Sequence, residues 1–325
     1  MNSLKVSYIF LSVVIFLQTS LVARSDYVVS NFPESIVVPG LIFDKPFNYE
    51  MFRVLYHHRN ESLDRLSIVI ALQNGSSQEE TVFVRAGIGG STKDVVFAGH
   101  KASQAFLSQY LEKPKEIRLK PFSTTYVLSH LIKPDQTSSG IVQLSRRKIT
   151  SGLRVKMGVV DTNHPHLSNF RDISTPINQY KVAHFEDSIK KNHYNFDSSD
   201  NIMSFEIGGP PYLINHQGNY ELVGNYGVIH DITLSLSNSF KNVKQFDFYL
   251  VPKKTNAVDR AVFLINGELV EVGVSFEKDN VITMQRFYSV LLKKDEKKQI
   301  SLITLPQSGC YYPVDVIIRV VEGSL

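Results

Sequence analysis

The chain has 325 residues, of which 35 are Lys or Arg, 31 are Asp or Glu and one, Cys310, is cysteine. Mixed, nearly balanced charge excludes the basic stripe of a nucleic-acid binder, and a single cysteine excludes an internal disulfide framework. The length suffices for two domains with ordinary hydrophobic cores.

Residues 1–25 read as an export signal peptide. Lys5 supplies the positive start, residues 6–17 form an apolar run broken by Ser7 and Ser12, and small residues suit cleavage after Ala23 or Ser25. A membrane-spanning helix needs about 20 mainly apolar residues, and here Gln18-Thr19-Ser20 interrupts the run. Every later hydrophobic run is broken by charge, so no membrane span is expected after signal cleavage. Lys5 and Arg24 leave with the signal, which reduces the basic side chains from 35 to 33 against 31 acidic ones. Export without disulfides points to a bacterial envelope, because small extracellular animal domains lean on disulfides.

Residues 26–160 alternate between apolar and polar positions with a period of two, which predicts strands at 51–57, 65–73, 81–85, 116–120, 124–132, 140–144 and 153–160. In 65–73, Leu66, Ile68, Ile70 and Leu72 share one face, as in a half-buried antiparallel strand. Residues 95–111 instead carry apolar side chains near helical spacing and predict one inserted helix, with Pro114 preventing its extension. Residues 161–202 are polar, hold four of the ten histidines and read as a linker, with a short helix expected only in 179–191. From 203 to 325 alternation returns, with strands at 229–237, 246–251, 261–265, 269–274, 281–292, 299–304 and 314–320. Asn266-Gly267 is a strong hairpin signal. The predicted fold is mainly β: two antiparallel β-sandwich domains, the second immunoglobulin-like, with one helix in the first.

Ala86-Gly87-Ile88-Gly89-Gly90-Ser91-Thr92-Lys93 invites comparison with a phosphate-binding loop. It lacks the third glycine of the dinucleotide fingerprint and the closing Gly-Lys-Ser/Thr of the Walker loop, so a flexible connection is expected. Lys293-Lys294-Asp295-Glu296-Lys297-Lys298 reads as a solvated hairpin turn. Asn60-Glu61-Ser62 and Asn74-Gly75-Ser76 have the form of glycosylation triplets, which matter only in a eukaryotic host.

His57 and His58, adjacent in a strand, point to opposite faces and are poorly placed to chelate one ion. His164 and His166 point the same way if extended, and with Asp161 they are the candidate metal ligands. No Gly-x-Ser-x-Gly elbow and no His-Glu-x-x-His occur, and the acids Glu206, Glu221, Asp231 and Asp259 have no distinguishing pattern, so catalysis has no motif behind it. Cys310 reads as a loop or buried thiol. Tyr212, Tyr220, Tyr226, Tyr311 and Tyr312 are candidate sugar platforms in a chain without tryptophan, although tyrosines in strands and turns more often pack.

Leu55-Tyr56-His57-His58-Arg59-Asn60, with the strand leading to Leu72-Gln73-Asn74, resembles a segment of exported proteins of unknown function, best known from cyanobacteria and with related modules in other bacteria. Gly224-Asn225-Tyr226-Gly227-Val228-Ile229, the strand Asp231 to Leu236, and Leu305-Pro306-Gln307-Ser308-Gly309 are similar to later parts of the same proteins. The resemblance implies a bacterial exported β protein of two linked domains and transfers no functional residue.

The resulting expectation is an exported envelope protein acting as a structural or binding module in periplasm, at the cell surface or in the medium. Cell-wall or surface glycan, or an envelope protein, is the expected partner, and no cofactor is implied. The alternative is an envelope-polymer hydrolase or metal-dependent enzyme with its site between the two domains.

Overall fold

The computed structural model describes residues 25–31, 35–161, 182–253, 259–274 and 284–323. The expected leader, apart from Ser25, lies outside the described residues. The first part of the chain contributes β1 (Ser25–Ser30), β2 (Ser35–Ile36), β3 (Gly40–Pro46), β4 (Met51–Asn60), β5 (Leu66–Asn74), β6 (Glu80–Thr92), α1 (Val95–Ser108), β7 (Lys115–Leu119), β8 (Thr124–Ile132), β9 (Gln136–Ser145), β10 (Leu153–Asp161) and β11 (Ala183–Glu186). The second part contributes β12 (Ile189–Asp197), β13 (Ile202–Ile207), β14 (Ile229–Ser237), β15 (Lys244–Pro252), β16 (Asp259–Ile265), β17 (Glu268–Val274), β18 (Gln285–Leu292), β19 (Lys297–Thr304) and β20 (Val314–Glu322).

The strands make two sandwiches. In the first, a sheet ordered β11-β1-β4-β9-β6-β7, with β2 also on β4, covers a sheet ordered β3-β10-β5-β8. In the second, β12-β14-β19-β16-β17 covers β13-β20-β15-β18. Pairing is antiparallel except at β1–β4, β2–β4 and β12–β14, which are parallel. Strand periodicity sets both cores. Leu66, Ile68, Ile70 and Leu72 of β5 point inward against Phe52, Val54 and Tyr56 of β4, all buried. In the second sandwich Ile232, Leu234 and Leu236 of β14 meet Phe246, Phe248 and Leu250 of β15. Each such side chain contributes about 1.5–3 kcal/mol when withdrawn from water.

The two glycosylation-type triplets are structural corners. Asn60 and Asn74 are 1% and 0% exposed. Asn60 Nδ2 donates to the carbonyls of Asp64 at 2.8 Å and Ile132 at 3.0 Å, while its Oδ1 accepts from the Ser62 amide at 3.0 Å. Asn74 repeats the pattern with Gln78, Lys120 and the Ser76 amide. Asn238 repeats it a third time with Asn242, Leu292 and the amide of Phe240. A serine at the third position is therefore dispensable for the corner. Asn74 and Asn238 also occupy equivalent places, Asn74 as the last residue of β5 and Asn238 directly after β14, each gripping the turn before that strand's partner (β8, β19). The device recurs in both sandwiches without a visible sequence repeat.

Two expectations need correction. The Gly-rich stretch is not a flexible connection but the second half of β6, and its glycines let α1 lie directly on the sheet. A Cβ at Gly87 would fall 2.2 Å from the Ala102 carbonyl oxygen, and one at Gly89 would fall 1.9 Å from that of Ala98. In the expected linker, residues 182–191, where a short helix was expected, instead carry β11 and the start of β12. Both are edge strands. An edge strand keeps one face and one row of backbone groups in solvent, and this explains its polar composition. The helix itself runs Val95–Ser108 as expected, capped by Asp94 accepting from the Phe97 amide at 2.9 Å.

A third apolar cluster seals the seam between the sandwiches, with Tyr27, Leu55, Phe106, Phe185, Val228 and Leu305 among its members. Helix α1 is wedged there. A Cβ at Gly99 would lie 1.7 Å from the Ser308 carbonyl oxygen, and His100 pairs with Glu271 of β17 at 2.6 Å. Arg53 of β4 is fully buried in the same seam. Its guanidinium donates to the Ser188 carbonyl at 2.9 Å, the Ser188 hydroxyl at 2.8 Å, the Gly227 carbonyl at 3.3 Å and Gln143 Oε1 at 2.7 Å. Burial lowers its pKa, opposed by the nearby Tyr110 and Tyr27 hydroxyls.

Candidate metal centre

Strand β1 pairs with β11 so that Asp26 faces Glu186 and Val28 faces His184. Period-two alternation places these four on one face of the sheet. Tyr27 and Phe185, on the opposite face, belong to the seam, whereas Val28 belongs to the first core. Asp26 and His184 thus stand at the rim of the first sandwich, one step from its dry interior.

A third group arrives from the second half of the chain. His216 lies in the loop between β13 and β14, and its amide donates to the His184 carbonyl at 3.0 Å. Asn215 fixes the turn: its Oδ1 accepts from the amides of Asn219 at 3.0 Å and Tyr220 at 3.1 Å. Gly218 supplies the positive φ, +70°, that the turn requires. The imidazoles of His184 and His216 come to 4.1 Å between ring centroids.

One carboxylate oxygen of Asp26 and one ring nitrogen from each of His184 and His216 all lie within 4.8 Å of one another. Asp26 Oδ1 is 2.6 Å from His184 Nε2, and Glu186 Oε1 is 3.6 Å from His216 Nδ1. The Asp26 side chain is 3% exposed, against 26% for His184 and 35% for His216. The site is closed beneath by the sandwich and open above. Two imidazoles and a carboxylate form a ligand set for a divalent transition ion.

The residues expected from sequence lie elsewhere. Asp161 ends β10 opposite Leu66, in the other sheet of the first sandwich from Asp26. His164 and His166 lie outside the described residues. His57 and His58 are buried in β4. Burial pushes the His57 pKa down to about 4, and His58 Nε2 sits 2.9 Å from the Ser30 hydroxyl. Asp26, His184 and His216 share no local spacing. The one sequence signal near them was the concentration of histidines in 161–202, which includes His184.

Of the other candidates, Tyr226, Tyr312 and Cys310 are packed. Tyr226 donates to the Cys310 carbonyl at 2.9 Å and meets the Tyr312 ring edge-on at 6.0 Å. Tyr312 donates to the Arg260 carbonyl at 3.2 Å. Tyr220 and Tyr311 are 49% exposed. Cys310 is buried, as expected, with Gln307 Nε2 at 3.1 Å from its sulfur. Glu206 pairs with Lys253, which also reaches Asp315 at 3.3 Å on the same sheet.

No protein-family model and no curated protein matches the chain. Among solved structures, a β-glucosidase from Paenibacillus barengoltzii aligns at 14% identity over 40% of this chain and 11% of its own, with a TM-score of 0.20. Lac15 from a marine microbial metagenome aligns at 8% identity over 92% of this chain and 62% of its own, TM-score 0.17. The tandem CBM22 domains of Paenibacillus barcinonensis Xyn10C align at 10% identity over 82% and 73%, TM-score 0.16. The chain therefore spans less than two thirds of the first two. Likeness at this level assigns neither a fold family nor a function.

Proposed function

We propose that the chain is an exported bacterial envelope module whose two sandwiches act as one rigid structural or binding body, with cell-wall or surface glycan or an envelope protein as its partner. The seam is the observation that carries this reading. It is apolar, fitted around α1 and closed by the buried Arg53, so packed side chains among the described residues join the two sandwiches. A body of that kind suits holding and spacing rather than closing over a substrate.

Co-sedimentation of the exported protein with the insoluble cell-wall fraction of a bacterial host tests the reading. Pelleting with wall material is the expected result. Protein that stays wholly in solution, with or without chelator, overturns wall binding.

A further inference from the structure

We infer that Asp26, His184 and His216 bind one divalent transition-metal ion of the zinc class, which staples the first strand, β11 and the loop before β14 to one another. The inference does not depend on wall binding. The donor set and its geometry carry it. Zinc holds imidazole nitrogens at about 2.0–2.1 Å and carboxylate oxygens at about 2.0–2.2 Å, which places neighbouring donors of a tetrahedral site about 3.3 Å apart. The three donors here already lie within 4.8 Å of one another. Metal binding then requires side-chain rotations that part Asp26 from His184, now 2.6 Å apart, and draw the three donors to that spacing. The backbone is set in advance, since His216 is tied to His184 through its amide and the turn behind it is locked by Asn215.

Charge and burial agree. Asp26 places a carboxylate at the nearly dry rim of a core, held there by His184 Nε2 at 2.6 Å, and a metal cation between the two compensates the same buried charge. Glu186 stands beside His216 and, with Asp26, supplies two negative charges to match a divalent ion. Three protein donors leave a fourth position for Glu186 or water. The ion would join segments far apart in the chain: positions 26, 184 and 216.

The test is a titration of the chelator-stripped full chain with Zn²⁺ in competition with a chromogenic chelator. One equivalent should bind. His216→Ala removes a partly exposed ligand from a surface loop and should weaken affinity by about 100-fold, the upper end of what even outer-shell changes cause. Asp26→Asn should weaken it comparably, with circular dichroism of the metal-free variant confirming that the sheets persist. His193→Ala, on the exposed face of β12, and the double variant His164→Ala, His166→Ala should bind as the parent does. Absence of stoichiometric binding overturns the inference, as does binding that survives His216→Ala and Asp26→Asn, or that disappears with His164 and His166.

Discussion

The seam around Arg53 and the rim at Asp26 join the same stretches of chain by opposite means. At the seam, β4, β11 and the loop before β14 meet through buried rings and a guanidinium whose donors are all directed at fixed acceptors. At the rim, one residue before Tyr27 on β1, the contact is made by three metal-type ligands, two of them partly open to solvent. The first joint is complete as it stands. The second has donors that converge on a small volume. The comparison teaches that strand alternation alone can put a structural joint and a ligand site on opposite faces of one edge, with Tyr27 on one side and Asp26 on the other.

The sharpest way to break the comparison is at Arg53. Arg53→Ala leaves a cavity and strips donors from buried carbonyls, each of which costs about 1–3 kcal/mol when left unpaired, so a loss of about 4 kcal/mol in urea unfolding is expected. A change under about 1 kcal/mol would mean the seam does not depend on it.

Acid is the next largest perturbation. Burial lowers the pKa of both His57 and His230 to about 4, with Lys190 adding to the effect on His230. The unfolded chain takes up these protons near the ordinary value of about 6.5, while the folded chain resists until about 4. Stability is therefore full above pH 6.5, falls as pH drops from 6.5 towards 4, and levels off below. Each pKa unit corresponds to about 1.4 kcal/mol, giving up to about 3 kcal/mol per histidine. Unfolding free energies measured at pH 7 and pH 4.5 should differ less in His57→Leu than in the parent, and equal slopes would refute the assignment.

The smallest effect sharpens the seam's geometry. Gly99→Ala puts a methyl group against the Ser308 carbonyl and forces α1 away from the second sandwich, for a cost of about 2 kcal/mol. Faster hydrogen exchange around 305–309, with the first core unchanged, is the expected signature.

Much of the fold was legible. β14 buries one face, so alternation of Ile232, Leu234 and Leu236 reports it directly; the alternation of Leu66, Ile68, Ile70 and Leu72 reports the core face of β5, although Val69 and Ala71 on its other face are buried as well rather than half-exposed. α1 was legible because helical spacing interrupts that alternation. β11 and β12 were not, since edge strands with polar faces look like linker, and β6 was shortened because glycines that admit a helix look like a loop. The metal ligands were the least legible, because Asp26, His184 and His216 meet only through sheet pairing and a loop.

By itself the sequence determined the local choices: which segments extend, where α1 begins, where turns such as Asn266-Gly267 fall, and which faces must be buried. Hydrophobic period and turn chemistry act over a few residues, and so they can be read from a few residues. Only the tertiary structure decided that Asn60 and Asn74 are buried corners, that Arg53 is a clamp between sandwiches, and that Asp26, His184 and His216 converge. Each of those depends on residues brought together by pairing across long stretches of chain, and no local pattern encodes which strand will lie beside which.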